Sequence, residues 1–113
     1  MSQIKIRKLD GVWLVRAGGG VLGESKSALA LSEPGYDDVI YFPREDMAMA
    51  FLDPSDHTSH CPHKGDASYF SIVAKSRTFE NAVWSYENPN PEVARIAGHL
   101  AFTTSEFVKV ERL

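Results

Sequence analysis

Cys61-Pro62-His63-Lys64-Gly65-Asp66-Ala67-Ser68-Tyr69-Phe70-Ser71-Ile72-Val73 decides how the chain is read. Its first half carries a proline and a glycine, the residues that punctuate a turn. Its second half, from Ser68 to Ala74, is rich in aromatic and β-branched residues and reads as a strand. A turn that runs straight into such a strand belongs to a β domain.

The same pattern recurs outward in both directions. Ile4 and Ile6 alternate with Lys5 and Arg7, which is the period of a half-buried strand. Val12-Trp13-Leu14-Val15 is a short apolar run between Asp10-Gly11 and Gly18-Gly19-Gly20. Ala28 to Leu31 ends at the turn signal Glu33-Pro34-Gly35, and Val39 to Phe42 ends at Pro43. Ala82 to Tyr86 and Phe107 to Val110 are also strand-like. Short runs separated by Gly, Pro and Asp clusters predict an all-β, mainly antiparallel domain.

Two segments predict short helices. Arg44 to Leu52 has acidic residues early, helix formers after them, and Pro54 beyond its end. Asn90 to Gly98 offers an N-cap, a proline at the first helical position and a glycine stop. Gly18-Gly19-Gly20 has no following Gly-Lys-Ser and no long helix, so it reads as a flexible hairpin rather than a phosphate loop.

The 113 residues form one domain, 1–113, with a modest core. A net charge of −3 with scattered basic residues argues against nucleic acid as a partner. No run is long enough for a transmembrane helix, so no membrane role is expected. The N-terminus lacks the apolar stretch of a signal peptide. A lone cysteine needs no oxidising compartment, and the expected location is cytoplasmic.

Chemistry concentrates in residues 57–66, which hold the only cysteine and three of the four histidines. His57, His60, Cys61 and His63 are zinc-type donors. Adjacent His60 and Cys61 on an extended backbone would point opposite ways, however. Solvated loop histidines are therefore the preferred reading, with no native metal and no cofactor assigned.

Four fragments together resemble a known family: Tyr41-Phe42-Pro43-Arg44-Glu45-Asp46, Cys61 to Tyr69, Ala82-Val83-Trp84-Ser85-Tyr86-Glu87-Asn88-Pro89, and Ile96 to Phe102. In order and spacing the chain is similar to the small bacterial domain-of-unknown-function family 427, from about Val12 to the C-terminus. The resemblance implies a β-tent-like pair of curled antiparallel sheets and no settled activity. A nucleotidyltransferase-like label attached to that family finds no support here, since no Gly-Ser is followed by Asp-x-Asp. The family carries an aromatic residue where this chain has His63. A family-wide chemistry would thus rest on Cys61, Lys64 and the aromatics.

The leading expectation is a small-molecule pocket, aromatic-lined, near the Cys61–Lys64 turn. Tyr41, Arg44, Asp46, Lys64, Tyr69 and Tyr86 are its candidate ligand-binding residues. Lys64 and Arg44 would meet an anionic group, one option for the ligand, and Asp46 a hydroxyl or amine. Trp84 and Phe102 are read as core. A second expectation is a cysteine-dependent enzyme, with Cys61 as nucleophile or redox thiol and Lys64 lowering its pKa. A third is a protein-interaction module, with a homo-oligomer left open.

Overall fold

The computed structural model describes residues 3–113. Among these the chain forms ten strands: β1 (Lys5–Lys8), β2 (Trp13–Ala17), β3 (Gly20–Ser25), β4 (Leu29–Ser32), β5 (Val39–Tyr41), β6 (Leu52–Cys61), β7 (Gly65–Val73), β8 (Thr78–Ser85), β9 (Ala101–Phe102) and β10 (Val108–Arg112). Every pairing between them is antiparallel. They make three sheets, ordered β1-β4-β5, β10-β2-β3 and β6-β7-β8-β9. The all-β expectation holds, with three sheets where a pair was expected. Two single bridges, Phe42 to Leu100 and Gly23 to Met47, tie the sheets to one another. No helix among the described residues is long and apolar enough to cross a membrane.

The four-stranded sheet feeds two cores because neighbouring residues on a strand face opposite ways. Phe70, Val83 and Phe102 join a core with Val15, Ala17, Leu22 and Val108 from the β10-β2-β3 sheet. Their chain neighbours Tyr69, Trp84 and Ala101 join a second core with Leu29, Leu31 and Tyr41. The segment after Asn90 closes that second core with Val93 and Ile96.

The predicted helix over Arg44–Leu52 is instead two separate 3-10 turns, Arg44–Asp46 and Met49–Phe51. Strand β3 breaks it. Met47 is extended and bridges Gly23, and the Ala48 N–H donates to the Leu22 carbonyl at 2.8 Å. The edge of β3 takes the backbone groups that a helix would need for itself. Leu52 then opens β6. The second predicted helix is a 3-10 segment, Pro91–Ile96, kinked at Val93. Asn90 makes no side-chain cap there. Its amide is used elsewhere, on the turn described next.

Residues 57–61, read as part of a turn, belong to β6. This leaves Pro62, His63 and Lys64 as the connection to β7. The Lys64 N–H donates to the Cys61 carbonyl at 3.2 Å. Asn90 holds the turn from outside: its N–H donates to the Lys64 carbonyl at 2.9 Å and its Nδ2 to the Pro62 carbonyl at 3.1 Å. Gly65 completes the turn at φ +112°, a conformation that L residues avoid. A Cβ there meets nothing closer than 3.6 Å, so the obstacle is backbone conformation and not space. Gly65→Ala should therefore cost about 1–3 kcal/mol in urea unfolding. A variant as stable as the wild type would show that this turn carries no strain.

Candidate functional site

Where the second core reaches the surface, it opens into a cleft of about 590 Å³. Leu31, Val39 and Tyr41 line it from β4 and β5, Tyr69 and Trp84 from β7 and β8, and Tyr86 from just past β8. The Cys61–Lys64 turn forms one rim. Glu33, Tyr36 and Asp37, on the loop between β4 and β5, form another.

The phenols are set by burial. Tyr41 is 1% exposed and Tyr86 6%. Withdrawal from water pushes both hydroxyls up from 10.0 to about 12, because it disfavours the phenolate. At neutral pH both are O–H donors. Trp84 Nε1 donates to the Tyr41 hydroxyl at 3.3 Å, which leaves the proton of Tyr41 itself uncommitted. The Tyr86 hydroxyl has no hydrogen-bond partner among the described residues. No enclosed polar atom lacks one there, so this hydroxyl opens onto the cleft. Tyr69 is engaged at its far end: its hydroxyl lies 2.9 Å from Ser59 Oγ, and the His57 ring packs edge-on against it at 4.5 Å.

Lys64 projects from the turn and donates to Glu33 Oε1 at 3.1 Å. Both side chains are mostly enclosed, 13% and 19% exposed. Burial works against the charge on Lys64. The hydrogen bond to the Glu33 carboxylate outweighs it, and the lysine ends above its usual range. It is thus an ammonium donor at neutral pH and not a free amine nucleophile. Cys61 is half-buried on the same rim.

The structure brings Tyr41, Cys61, Lys64, Tyr69 and Tyr86 onto one cleft. Arg44 and Asp46 line no part of it. Arg44 pairs with Glu87, donates to the Gly98 carbonyl and to Ser85 Oγ, and lies over the Phe70 ring. Asp46 accepts a 2.7 Å hydrogen bond from the Ser25 hydroxyl. These two polar residues join β3, β8 and the Gly98 turn. Trp84, read as core, is half-buried and lines the cleft, whereas Phe102 is core, at edge-on contact with Phe42. Glu33 escaped the sequence reading. It lies 31 positions from Lys64 and is visible only as part of a turn signal.

The histidines spread out. His57 packs on Tyr69, His60 Nδ1 lies 2.7 Å from an Asp66 oxygen on an exposed surface, and His63 is on the cleft rim. Among the described residues no three His, Cys, Asp or Glu side chains converge as a metal site would require.

An all-β domain with an aromatic, donor-rich cleft between two of its sheets is the class that the fold and site define. The chain belongs to the family described as a domain of unknown function, DUF427, whose model matches residues 5–112. No curated protein matches it.

Proposed function

We propose that this protein binds a small organic molecule in the cleft between the β1-β4-β5 and β6-β7-β8-β9 sheets. The observation that carries the reading is the Tyr86 hydroxyl. A phenol 6% exposed, with no protein partner among the described residues, turned onto an open cleft, is poised for a group from outside. The surroundings agree with it. Tyr41, Tyr69 and Trp84 supply apolar faces with polar tips, and Lys64 supplies a fixed charge at the rim.

Melting-temperature shifts across a metabolite collection test the reading. A ligand present at a hundredfold excess over its Kd should stabilise the wild type by about 2.7 kcal/mol. Lys64→Ala should lose that shift. Tyr86→Phe keeps the ring and should leave the free protein as stable as before, while weakening the ligand about fivefold, the worth of one neutral hydrogen bond. Unchanged affinity in Tyr86→Phe would remove this hydroxyl from the site.

A second reading, thiol chemistry at Cys61, has one observation in its favour. The cysteine is half-buried and stands on the same cleft rim as Lys64. Of the two histidines beside it in sequence, His60 is engaged with Asp66 and only His63 lines the cleft as a candidate proton carrier.

A further inference from the structure

We infer that the Lys64–Glu33 pair sets the ligand class of the cleft: an uncharged carboxamide-type group, with a carbonyl and an N–H side by side, is taken, and the isosteric carboxylate is turned away. The inference rests on the small-molecule reading above and goes beyond it by naming the recognised group.

Lys64 uses one of its three N–H donors on Glu33. Both side chains line the cleft and their bonded atoms are 3.1 Å apart, so a ligand at the rim meets donors and acceptors together. A carboxamide can address both without breaking the pair, its carbonyl accepting from Lys64 and its N–H donating to Glu33. Tyr86 lines the same cleft and offers a further donor there, since its hydroxyl has no other partner among the described residues.

A carboxylate has only acceptors. Placed on Lys64 it would face the Glu33 oxygens, two like charges in a poorly solvated corner. To avoid this it would have to displace Glu33, leaving that acid 19% exposed and without its lysine. The other charges do not help. Asp37 lines the same cleft, so its two acids outnumber its one lysine. Arg44, the second cation in the sequence-based picture of an anion site, is committed to Glu87 outside it. Glu33 is thus a negative element against anions as well as a partner for Lys64.

Benzamide and benzoate test this directly, because they share shape and size and differ in charge and in the N–H donors. Each is titrated into isotope-labelled protein, with the amide resonances of the cleft residues as readout. The wild type should bind benzamide about tenfold or more tighter than benzoate. Glu33→Gln, which keeps the side chain's size and removes its charge, should bring the two affinities together or reverse them.

Equal or tighter binding of benzoate by the wild type would overturn the inference. So would an unchanged ratio in Glu33→Gln, if its spectrum is that of a folded protein. If neither probe moves the cleft resonances, the inference falls as well. The melting-temperature screen then separates two failures. Hits of another chemical class that need Lys64 and Tyr86 keep the cleft as a binding site, and no hits at all remove the site itself.

Discussion

Gly23→Ala should be among the most damaging single-methyl changes in this chain, lowering the stability of the fold by about 3 kcal/mol. Gly23 sits in β3 where the backbone of Met47 crosses it and bridges to it. A Cβ built there collides with the Asp46 carbonyl oxygen and the Met47 methyl, and comes within 3.0 Å of the Met47 Cα. A flexible side-chain tip can move aside at little cost, but two backbone atoms held by a bridge cannot. A glycine inside a strand commonly marks such a close approach of another backbone.

The damage would spread. The crossing backbone carries the Arg44–Asp46 turn, from which Arg44 reaches Glu87 and Ser85 and Asp46 receives the Ser25 hydroxyl. In a domain of this size 3 kcal/mol corresponds to a fall in Tm on the order of 10 °C. Gly20→Ala is the internal comparison. Its Cβ would meet only the Ala17 carbonyl oxygen, at 3.9 Å, with no left-handed φ. That variant should melt within a few degrees of the wild type, and matching melts for the two alanines would dismiss the crossing as a constraint.

This crossing also explains where the sequence was legible and where it was not. Strands buried on one or both faces announce themselves by composition, and Val39 to Tyr41 and Ser68 to Val73 were readable for that reason. Strand β6 was not. From Asp53 to His60 it is almost wholly exposed, because it lies at the sheet edge and is interrupted by a bulge between Pro54 and Thr58. Polar residues on both faces leave no period to detect. Strand β3 carries two glycines, which reads as a breaker unless the crossing backbone is known.

The helix over residues 44–52 had the right local signals, and a tertiary contact overrode them. The site divides in the same way. Tyr69, Trp84 and Lys64 lie on two paired strands and the turn that leads into them, so local order placed them together, whereas Tyr41 comes from β5 in the other sheet. Arg44 and Asp46 are polar residues within a recognisable fragment, and nothing local distinguishes a ligand contact from a structural latch. Glu33 reaches Lys64 through the packing of two sheets, and that packing is set by the fold as a whole.

Raising the pH above about 10 should progressively destabilise this protein, and Tyr41 should carry most of the effect. The sign follows from linkage. The native state holds the Tyr41 proton up to about 12, whereas the unfolded chain releases it near 10. Below pH 10 the stability is present in full, and it declines as the pH climbs toward 12, because the unfolded state then binds fewer protons than the native one. For a phenol as enclosed as Tyr41 the loss at pH 11.5 is about 2 kcal/mol. Tyr86 and Lys64 also keep their protons longer in the fold, so they act in the same direction. Tyr86 opens onto the cleft, and solvent tempers its share.

Urea unfolding of the wild type between pH 8 and pH 11.5 should show this decline. Tyr41→Phe should begin about 1 kcal/mol less stable at pH 8, since the Trp84 N–H loses its acceptor. It should then lose less on the way up, so that the two curves cross before pH 11.5. Parallel curves would mean that Tyr41 is not the group that titrates. The same protons matter for the cleft. A phenol that ionises only near 12 remains a donor throughout the neutral range, so both tyrosines can serve an acceptor on a ligand without responding to pH. A contribution of the Tyr86 hydroxyl to binding, read from Tyr86→Phe, that is flat from pH 6 to 9 is the functional counterpart of this alkaline instability. Both follow from the same burial of two hydroxyl groups between the sheets.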